Sequence, residues 1–396
     1  MIYKQFQDKK ISWLGEGVMR MPTIKREGER GGPIDEEKAM SLIKLAYESG
    51  VNYYDTGYFY HNGESERFIG KALGRFPRET WFLATKFPGN MVKKTEAGWE
   101  VSGMGLQPLN ITHPADVFNL QLEKCGVDYF DFYMLHNIAE NTYAAYTNPE
   151  LGIIPYLIEQ KKIGRIRHLG FSSHGQASFI DKILTDYDCF EFVMIQLNYL
   201  DWVVQDAGRK YDIITNHGLP VFVMEPLRGG KLAKAGEYSS LLQTLRPNDS
   251  PAKWALRHLQ SLPNVSVVIS GMSSEAQLNE NVETFSNNEP LTNDEKDALS
   301  KAVNTMAKTV PCTVCKYCCG SCPKGLDIPA LLTMYNEANY EFSWNLNNAI
   351  RNLNENEMPS FCVGCGLCNP LCPQGIDIPE ALSGFKNLLE ERARKT

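Results

Sequence analysis

A chain of 396 residues with 43% hydrophobic and 22% charged side chains lies near the averages of globular proteins, which excludes wholesale disorder and leaves material for a sizeable core. The formal net charge of -7, with acids and bases mixed along the chain, excludes the basic stripe that nucleic-acid binding needs. No run of about 18 uninterrupted apolar residues occurs, and MIYKQFQDKK leads into none, so neither a membrane span nor a secretory leader is expected.

In chain order, KKISWLGEG reads as a short hairpin, and a short strand is expected around Gly17 to Met21. EEKAMSLIKLAYESG has apolar residues recurring at three and four, the helical spacing, and ends on Gly50, a residue suited to closing a helix. From there such helical stretches alternate with short, nearly continuous apolar runs: VNYYDT, TWFLATK, YFDFYML, RHLGFS, FVMIQLN, LPVFVME and VSVVIS. Runs of that kind are expected where parallel strands are covered on both faces. After TWFLATK, Trp99 to Pro114 reads as a long loop, of the sort that shapes a substrate pocket. Together with the early strand, these runs make eight strand-helix units in roughly 250 residues, the arithmetic of an α/β (β/α)8 TIM barrel, whose chemistry sits at the C-terminal ends of its strands. A doubly wound sheet is the alternative, but no GxGxxG turn follows the first strand, so the dinucleotide fingerprint of that fold is missing. Beyond Asn288, NEPLTNDEKDALSKAVNTMAK reads as a polar helix. Residues 1–290 are therefore assigned to the barrel, 291–308 to a linker helix and 309–396 to a mostly helical C-terminal domain.

The cysteines are skewed. Of eleven, only Cys125 and Cys189 precede residue 300, and nine fall between Cys312 and Cys372. With no leader and with thiols kept available for metal, a reducing compartment, the cytoplasm, is expected. Cys312, Cys315, Cys318 and Cys322 before Pro323 give C-x2-C-x2-C-x3-C-P, and Cys362, Cys365, Cys368 and Cys372 before Pro373 repeat it. That spacing wraps three thiolates around one 4Fe-4S cluster, and in two-cluster ferredoxins the fourth cysteine serves the other cluster. Structural zinc is the bland alternative, but it favours C-x2-C pairs over such triplets. Cys319 is a spare and permits the register Cys312, Cys315, Cys319, Cys322. Each motif runs into a near-copy, GLDIPALL and GIDIPEAL. Over about residues 309 to 385 the chain resembles the helical two-cluster ferredoxins.

At expected strand ends stand Asp55, Tyr60 just beyond it, Lys86 and His136. A tyrosine is a weak acid, but an adjacent ammonium favours its phenolate, and a carboxylate beside that ammonium holds it in place. Singly, Lys86 and Asp55 could be a surface ion pair, Tyr60 a rim aromatic and His136 a core histidine. All four at strand C-termini point to an acid-base site. Phe59, Trp99 and Trp202 near expected loops are candidates for an apolar wall, or for packing alone.

Over about residues 1 to 290 the sequence resembles the aldo-keto reductase family, in LGEGVMRMP, NYYDTGYFYHNGESERFIGKAL, LATK, DYFDFYMLH, IGRIRHLGFSSH, IQLNYL, EPLRGGKL and EAQLNENVE. The resemblance implies that Tyr60 protonates a carbonyl oxygen, that Lys86 and Asp55 tune it, and that His136 orients the substrate. It implies NADP or NAD as hydride carrier, with Ser172 and Gln196 holding the carboxamide, Tyr199 stacking on the ring, and the Leu227–Leu232 loop, with Gly229 and Gly230, meeting the pyrophosphate. Two departures stand out. Ser173 replaces the family's usual asparagine. Gly271 and Gln277 stand where the family often places a lysine and an arginine, leaving Ser273 and Ser274 for a 2′-phosphate, and Glu280 and Asn281 for the adenine. The implied function is an oxidoreductase acting on a small-molecule carbonyl or alcohol, with two 4Fe-4S clusters that serve a ferredoxin or another electron-transfer partner. A hydride carries two electrons and a cluster one. Two alternatives therefore stand beside it: a nucleotide-sensing or electron-transfer subunit of a redox complex, and a ferredoxin-driven reductase with another organic cofactor.

Overall fold

The computed structural model describes residues 1–24, 32–96, 98–103, 106–234, 239–307, 309–312 and 315–394. The chain forms two compact units: Met1–Asn198, Lys210–Ala235 and Asn248–Thr292 make the first, and Tyr199–Arg209, Gly236–Pro247 and Asn293–Thr396 the second. Among the described residues no helix is long and apolar enough to cross a membrane.

The first unit is a TIM barrel. An antiparallel hairpin, β1 (Tyr3–Phe6) and β2 (Lys9–Ser12), precedes β3 (Leu14–Gly17), β4 (Tyr53–Asp55) and β5 (Phe82–Phe87). An antiparallel sheet of β6 (Val92–Thr95), β7 (Gly98–Gly103) and β8 (Leu106–Ile111) follows. The barrel continues through β9 (Phe130–Leu135), β10 (Ile166–Ser173), β11 (Val193–Gln196), β12 (Val221–Met224) and β13 (Val265–Ser270). It closes in the order β10-β11-β12-β13-β3-β4-β5-β9, every pairing parallel.

Three expectations shift. The first barrel strand is LGEG, earlier in the chain than placed, and Val18–Arg20 is a single 3-10 turn. The reason is space: a Cβ at Gly15 would sit 2.9 Å from the Tyr53 ring, and one at Gly17 would sit 3.0 Å from Ile269, so only glycine lets this strand close the barrel. The leading hairpin is accordingly Tyr3–Ser12 rather than KKISWLGEG. Its Phe6 and Ile11 join Tyr53, Phe132, Phe192, Phe222 and Val267 in one buried cluster and plug the N-terminal end of the barrel. The stretch read as a loop from Trp99 is sheet instead: Val101 and Ile111 alternate inward, at 1% and 2% exposure. The helix before β4 runs Glu36–Glu48, with Asp35 accepting the Lys38 N–H at its start and Gly50 at φ 87° after its end.

In the second unit, Leu326, Ile328, Leu331, Leu332, Leu346, Ile376, Ile378, Leu382 and Phe385 form one core. Its helices among the described residues are Asp201–Val204, Ser239–Leu245, Asn293–Ala307, Ile328–Tyr340, Trp344–Arg351 and Ile378–Ala393. The two near-copies are shaped by the same local contacts. Asp327 accepts the Ala330 N–H and Asp377 the Glu380 N–H, both at 3.3 Å, and a proline follows within each first turn. An aspartate cap followed by proline starts each helix at the same place relative to its cysteines.

Candidate active site and cysteine centres

Asp55 ends β4, Lys86 lies at the end of β5 and His136 follows β9, so parallel register brings them to one end of the barrel. Lys86 Nζ donates to Asp55 Oδ1 at 2.5 Å and to the Thr56 carbonyl at 2.6 Å. Both side chains are almost wholly buried, at 2% and 6% exposure. The Tyr60 ring lies beside Lys86, whose Nζ is 4.9 Å from the ring centroid. Burial pulls Lys86 down, but the opposite charges of Asp55 and Tyr60 outweigh it and hold the ammonium above its ordinary value. Burial also pushes the Asp55 carboxyl up, and Lys86 offsets only part of that. The direction that governs the pair is that of Lys86, because a neutral amine there would strand a carboxylate already short of solvent. Burial raises Tyr60 too, Lys86 opposing and Asp55 adding to the rise.

His136 stacks on Phe59 with ring centroids 4.6 Å apart and meets Tyr60 edge-on at 5.8 Å. Burial first, then Lys86 and His174, hold its imidazole well below the ordinary value, so it is neutral. Its Nδ1 and Asp55 Oδ2 are buried without a hydrogen-bond partner. Behind the site the Lys86 carbonyl accepts Gln121 Nε2 at 3.0 Å, and the same amide donates to Glu66 Oε1 at 2.6 Å, which also accepts from Thr85. That buried network fixes the strand from which Lys86 projects.

Ser172 lies near the end of β10 and turns its hydroxyl to the next loop, accepting the Asn137 N–H at 2.9 Å. Gln196 ends β11, 6% exposed. Leu227 leads into the 3-10 turn Arg228–Ala233, in which Gly229 and Gly230 have φ of 65° and 87° and Leu232 is buried. Ser273 Oγ donates to the Arg20 carbonyl at 2.6 Å, and Ser274 caps the helix Glu275–Ser286. On that helix Glu280 is half-buried, while Asn281, 2% exposed, donates to Ser270 Oγ at 3.0 Å. Tyr199 belongs to the second unit and is buried. Sequence reasoning missed Arg20. Its side chain pairs with Glu225 at 3.5 Å and lies where a Cβ on Gly229 or Gly271 would collide, so the first, seventh and eighth strand ends share one guanidinium. Its place just past the first strand was the available signal.

The cysteines sort crosswise. Cys362, Cys365 and Cys368 line one pocket with Cys322, and Cys312, Cys315 and Cys318 line another with Cys372. Among the described residues no three Cys, His, Asp or Glu side chains close on a point that a single ion could hold. Cys319 lines neither pocket. It stands where the second motif has Asn369, whose Oδ1 accepts the Ile378 N–H at 3.1 Å, and it packs against the core of the second unit.

Residues 23–304 match the Aldo/keto reductase family, and residues 311–377 match the 4Fe-4S dicluster domain. The chain belongs to the aldo/keto reductase family. It is 26% identical to an uncharacterised oxidoreductase, YqkF, of Bacillus subtilis, over 74% of this chain and 92% of that protein. An aldo-keto reductase of Fusarium vanettenii is 28% identical over 52% of this chain, and there the chain spans only 59% of the relative's length. Among solved structures, an aldo-keto reductase from Bacillus halodurans in its holo form superposes with a TM-score of 0.58 at 27% identity, over 76% of this chain and 96% of that one. This aldo/keto reductase couples the family's barrel to a second, cysteine-rich module: the matched family segment stops at 304 and the dicluster segment begins at 311.

Proposed function

We propose that the barrel is a nicotinamide-dependent oxidoreductase that interconverts a small-molecule carbonyl and its alcohol, and that the second unit binds two 4Fe-4S clusters. The buried Lys86–Asp55 pair, with the Tyr60 ring against the Lys86 ammonium, carries the reading. A surface ion pair has no reason to be buried beside a weak acid, since desolvating such a pair usually costs more than its attraction recovers. The residues fit a nicotinamide nucleotide: among the described residues Asp55 Oδ2 and His136 Nδ1 are buried without hydrogen-bond partners, and Gly230 is open where Arg20 packs on its neighbour Gly229. Ser172 and Gln196 would hold its carboxamide, the Leu227–Leu232 turn and Arg20 its phosphates. A bound nicotinamide supplies or accepts the hydride. Tyr60 gives its proton to the carbonyl oxygen, and the resulting phenolate is stabilised by Lys86, which Asp55 and the Thr56 carbonyl hold in place. Neutral His136 orients the carbonyl by a hydrogen bond.

For the clusters, the crosswise sets support Cys322 with the second triplet and Cys372 with the first, the arrangement of two-cluster ferredoxins. Bound there, the clusters supply one-electron transfer to a ferredoxin or another carrier. Anaerobic purification with optical spectra, then nucleotide oxidation by a panel of aldehydes and ketones, tests both halves. Cluster absorbance with no turnover on any carbonyl, and no nucleotide binding by calorimetry, would sink the reductase reading. With glycine at 271 and glutamine at 277, NADPH and NADH are expected to bind within about tenfold of each other. A preference of roughly a hundredfold, about 2.7 kcal/mol, would show that Arg20 or another group reads the 2′-phosphate.

A further inference from the structure

The turn that begins at Tyr60 has a backbone that few side chains accept. His61 (φ 50°, ψ 47°) and Asn62 (φ 56°, ψ 35°) are both left-handed, and Gly63 follows at φ 87°. Glycine takes that region freely, and asparagine and histidine enter it more readily than most residues, but two successive left-handed non-glycine residues persist only where the surroundings hold them there. His61 has such a hold. Its Nε2 accepts the backbone N–H of Met21 at 3.2 Å, across 40 residues of chain. An N–H donor facing Nε2 requires that nitrogen to be unprotonated, and burial, against the opposing pull of Val18, keeps the imidazole below its ordinary value, in line with a neutral ring.

The contact reaches the nucleotide side of the mouth. Met21 closes the Val18–Arg20 turn, and Arg20 is the residue that lies against Gly229 and Gly271. On the other side, Tyr60 has little latitude. A Cβ on Gly57 would meet three of its ring carbons at 3.1–3.2 Å, so the ring lies flat on Gly57 and a small rotation of the turn moves the phenol away from Lys86. The His61 ring is the turn's own bond to the Val18–Met21 segment; the neighbouring tie, Ser65 Oγ to the Val18 carbonyl at 3.4 Å, starts from the helix beyond.

We infer that His61 is a positioning residue for the acid: by pinning the left-handed turn to the Met21 amide it holds the Tyr60 phenol beside Lys86 and ties that placement to the Arg20 segment that packs on Gly229 and Gly271. The inference rests on the reductase reading above, and it acts through the backbone, since no contact of His61 with the substrate is invoked.

Two substitutions separate positioning from folding. His61→Asn keeps a residue that tolerates the left-handed backbone but is too short to reach the Met21 amide. His61→Gln carries an amide oxygen out to about the reach of Nε2. In the full chain, purified anaerobically, His61→Asn should lower kcat for carbonyl reduction by at least about tenfold, since misplacement by about 1 Å can cost a hundredfold. Nucleotide affinity should stay within about twofold and Tm within a few degrees, and His61→Gln should recover most of the loss. The crystal structure of His61→Asn should show the Tyr60 oxygen moved away from Lys86. Unchanged kcat, an unmoved Tyr60, or equal losses in both variants that follow a fall in Tm would each overturn the inference. If the wild-type protein reduces no carbonyl with either nucleotide, the reductase reading falls and the Tyr60 position in that crystal structure alone decides the role of His61. Should His61→Asn fail to fold, nitrogen NMR of labelled wild-type histidine decides: unprotonated Nε2 at neutral pH supports the clamp, protonated Nε2 overturns it.

Discussion

A phenol is a poor acid at neutral pH, and at Tyr60 burial makes it poorer still; what makes it usable is the ammonium that receives its charge. Tyr60→Phe removes only the proton donor, so carbonyl reduction should fall by about 10²–10⁴-fold while nucleotide affinity holds, as steady-state rates and calorimetry on one preparation would show. The sign of the pH dependence comes from the raised Tyr60 value. Reduction needs the protonated phenol, so it should be level through neutral pH and fall only as pH rises through a value above the ordinary one near 10; alcohol oxidation, which needs the phenolate, should climb over the same interval. A reduction rate that already drops between about pH 6 and 8 would assign the acid elsewhere, because an unperturbed histidine titrates there. Asp55, Tyr60, Lys86 and His136 were legible in the sequence because a parallel barrel puts every strand's C-terminal end on one face, so locating the strands locates the residues. Arg20 and His61 were not. Each works through a contact to a distant loop, and although Asn62 and Gly63 mark a turn after Tyr60 in residue type, nothing in the sequence marks the His61–Met21 contact.

Among the elements, the hairpin plug shows how the far end of the barrel is held. Glu191 accepts Gln7 Nε2 at 2.7 Å from the hairpin turn, the Leu169 N–H at 3.1 Å from β10, and Lys161 at 2.9 Å. Burial pushes its carboxyl up, but His168 at 3.6 Å and the contacts from Gln7 and Lys161 outweigh that and hold it at about 2. A depressed carboxylate contributes stability above its unfolded value, near 4.3, and loses it as pH falls toward 2. Because Glu191 is partly exposed, the contribution is discounted to about 1–2 kcal/mol. Glu191→Gln should therefore lower urea stability by that amount at pH 7 and by nearly nothing at pH 2; an equal difference at both would show that the charge on the carboxylate contributes nothing. The runs from VNYYDT to VSVVIS all became strands, since buried parallel strands are written as apolar runs. β3 escaped because it reads LGEG: two glycines imposed by Tyr53 and Ile269, and a buried Glu16, look like a turn. The β6–β8 sheet escaped because Gly98 and Gly103, at φ 125° and 132°, break its short alternation into pieces that resemble a loop.

In the whole molecule an aldo/keto reductase barrel and a 4Fe-4S dicluster domain share one chain, and the repeated cysteine half is the part most fully written in the sequence. Spacing alone separated the eight motif cysteines from Cys125 and Cys189, whereas only the folded pockets, which Cys319 does not line, set it apart from its neighbours. Crosswise ligation has a distinct signature. Cys322→Ser should damage the cluster of Cys362, Cys365 and Cys368 and spare that of Cys312, Cys315 and Cys318, so electron paramagnetic resonance should lose one signal and Cys365→Ser should lose the same one; loss of different signals would mean that each motif keeps its own fourth cysteine. The purpose of the clusters then turns on access. Cys315 and Cys365 are exposed, and so are apolar side chains beside them, Tyr317 at 67% and Leu367 at 58%. A purely structural metal centre gains nothing from an exposed thiolate ringed by exposed apolar groups, whereas a docking electron carrier needs both a short path to the cluster and apolar surface to bury. Cys365→Ser should accordingly abolish turnover driven by reduced ferredoxin and leave nicotinamide-driven reduction near its wild-type rate. If the clusters serve stability instead, metal loss is linked to unfolding. Both activities would then fall together with Tm, and that joint loss would show that the clusters hold the second unit together rather than feed it electrons.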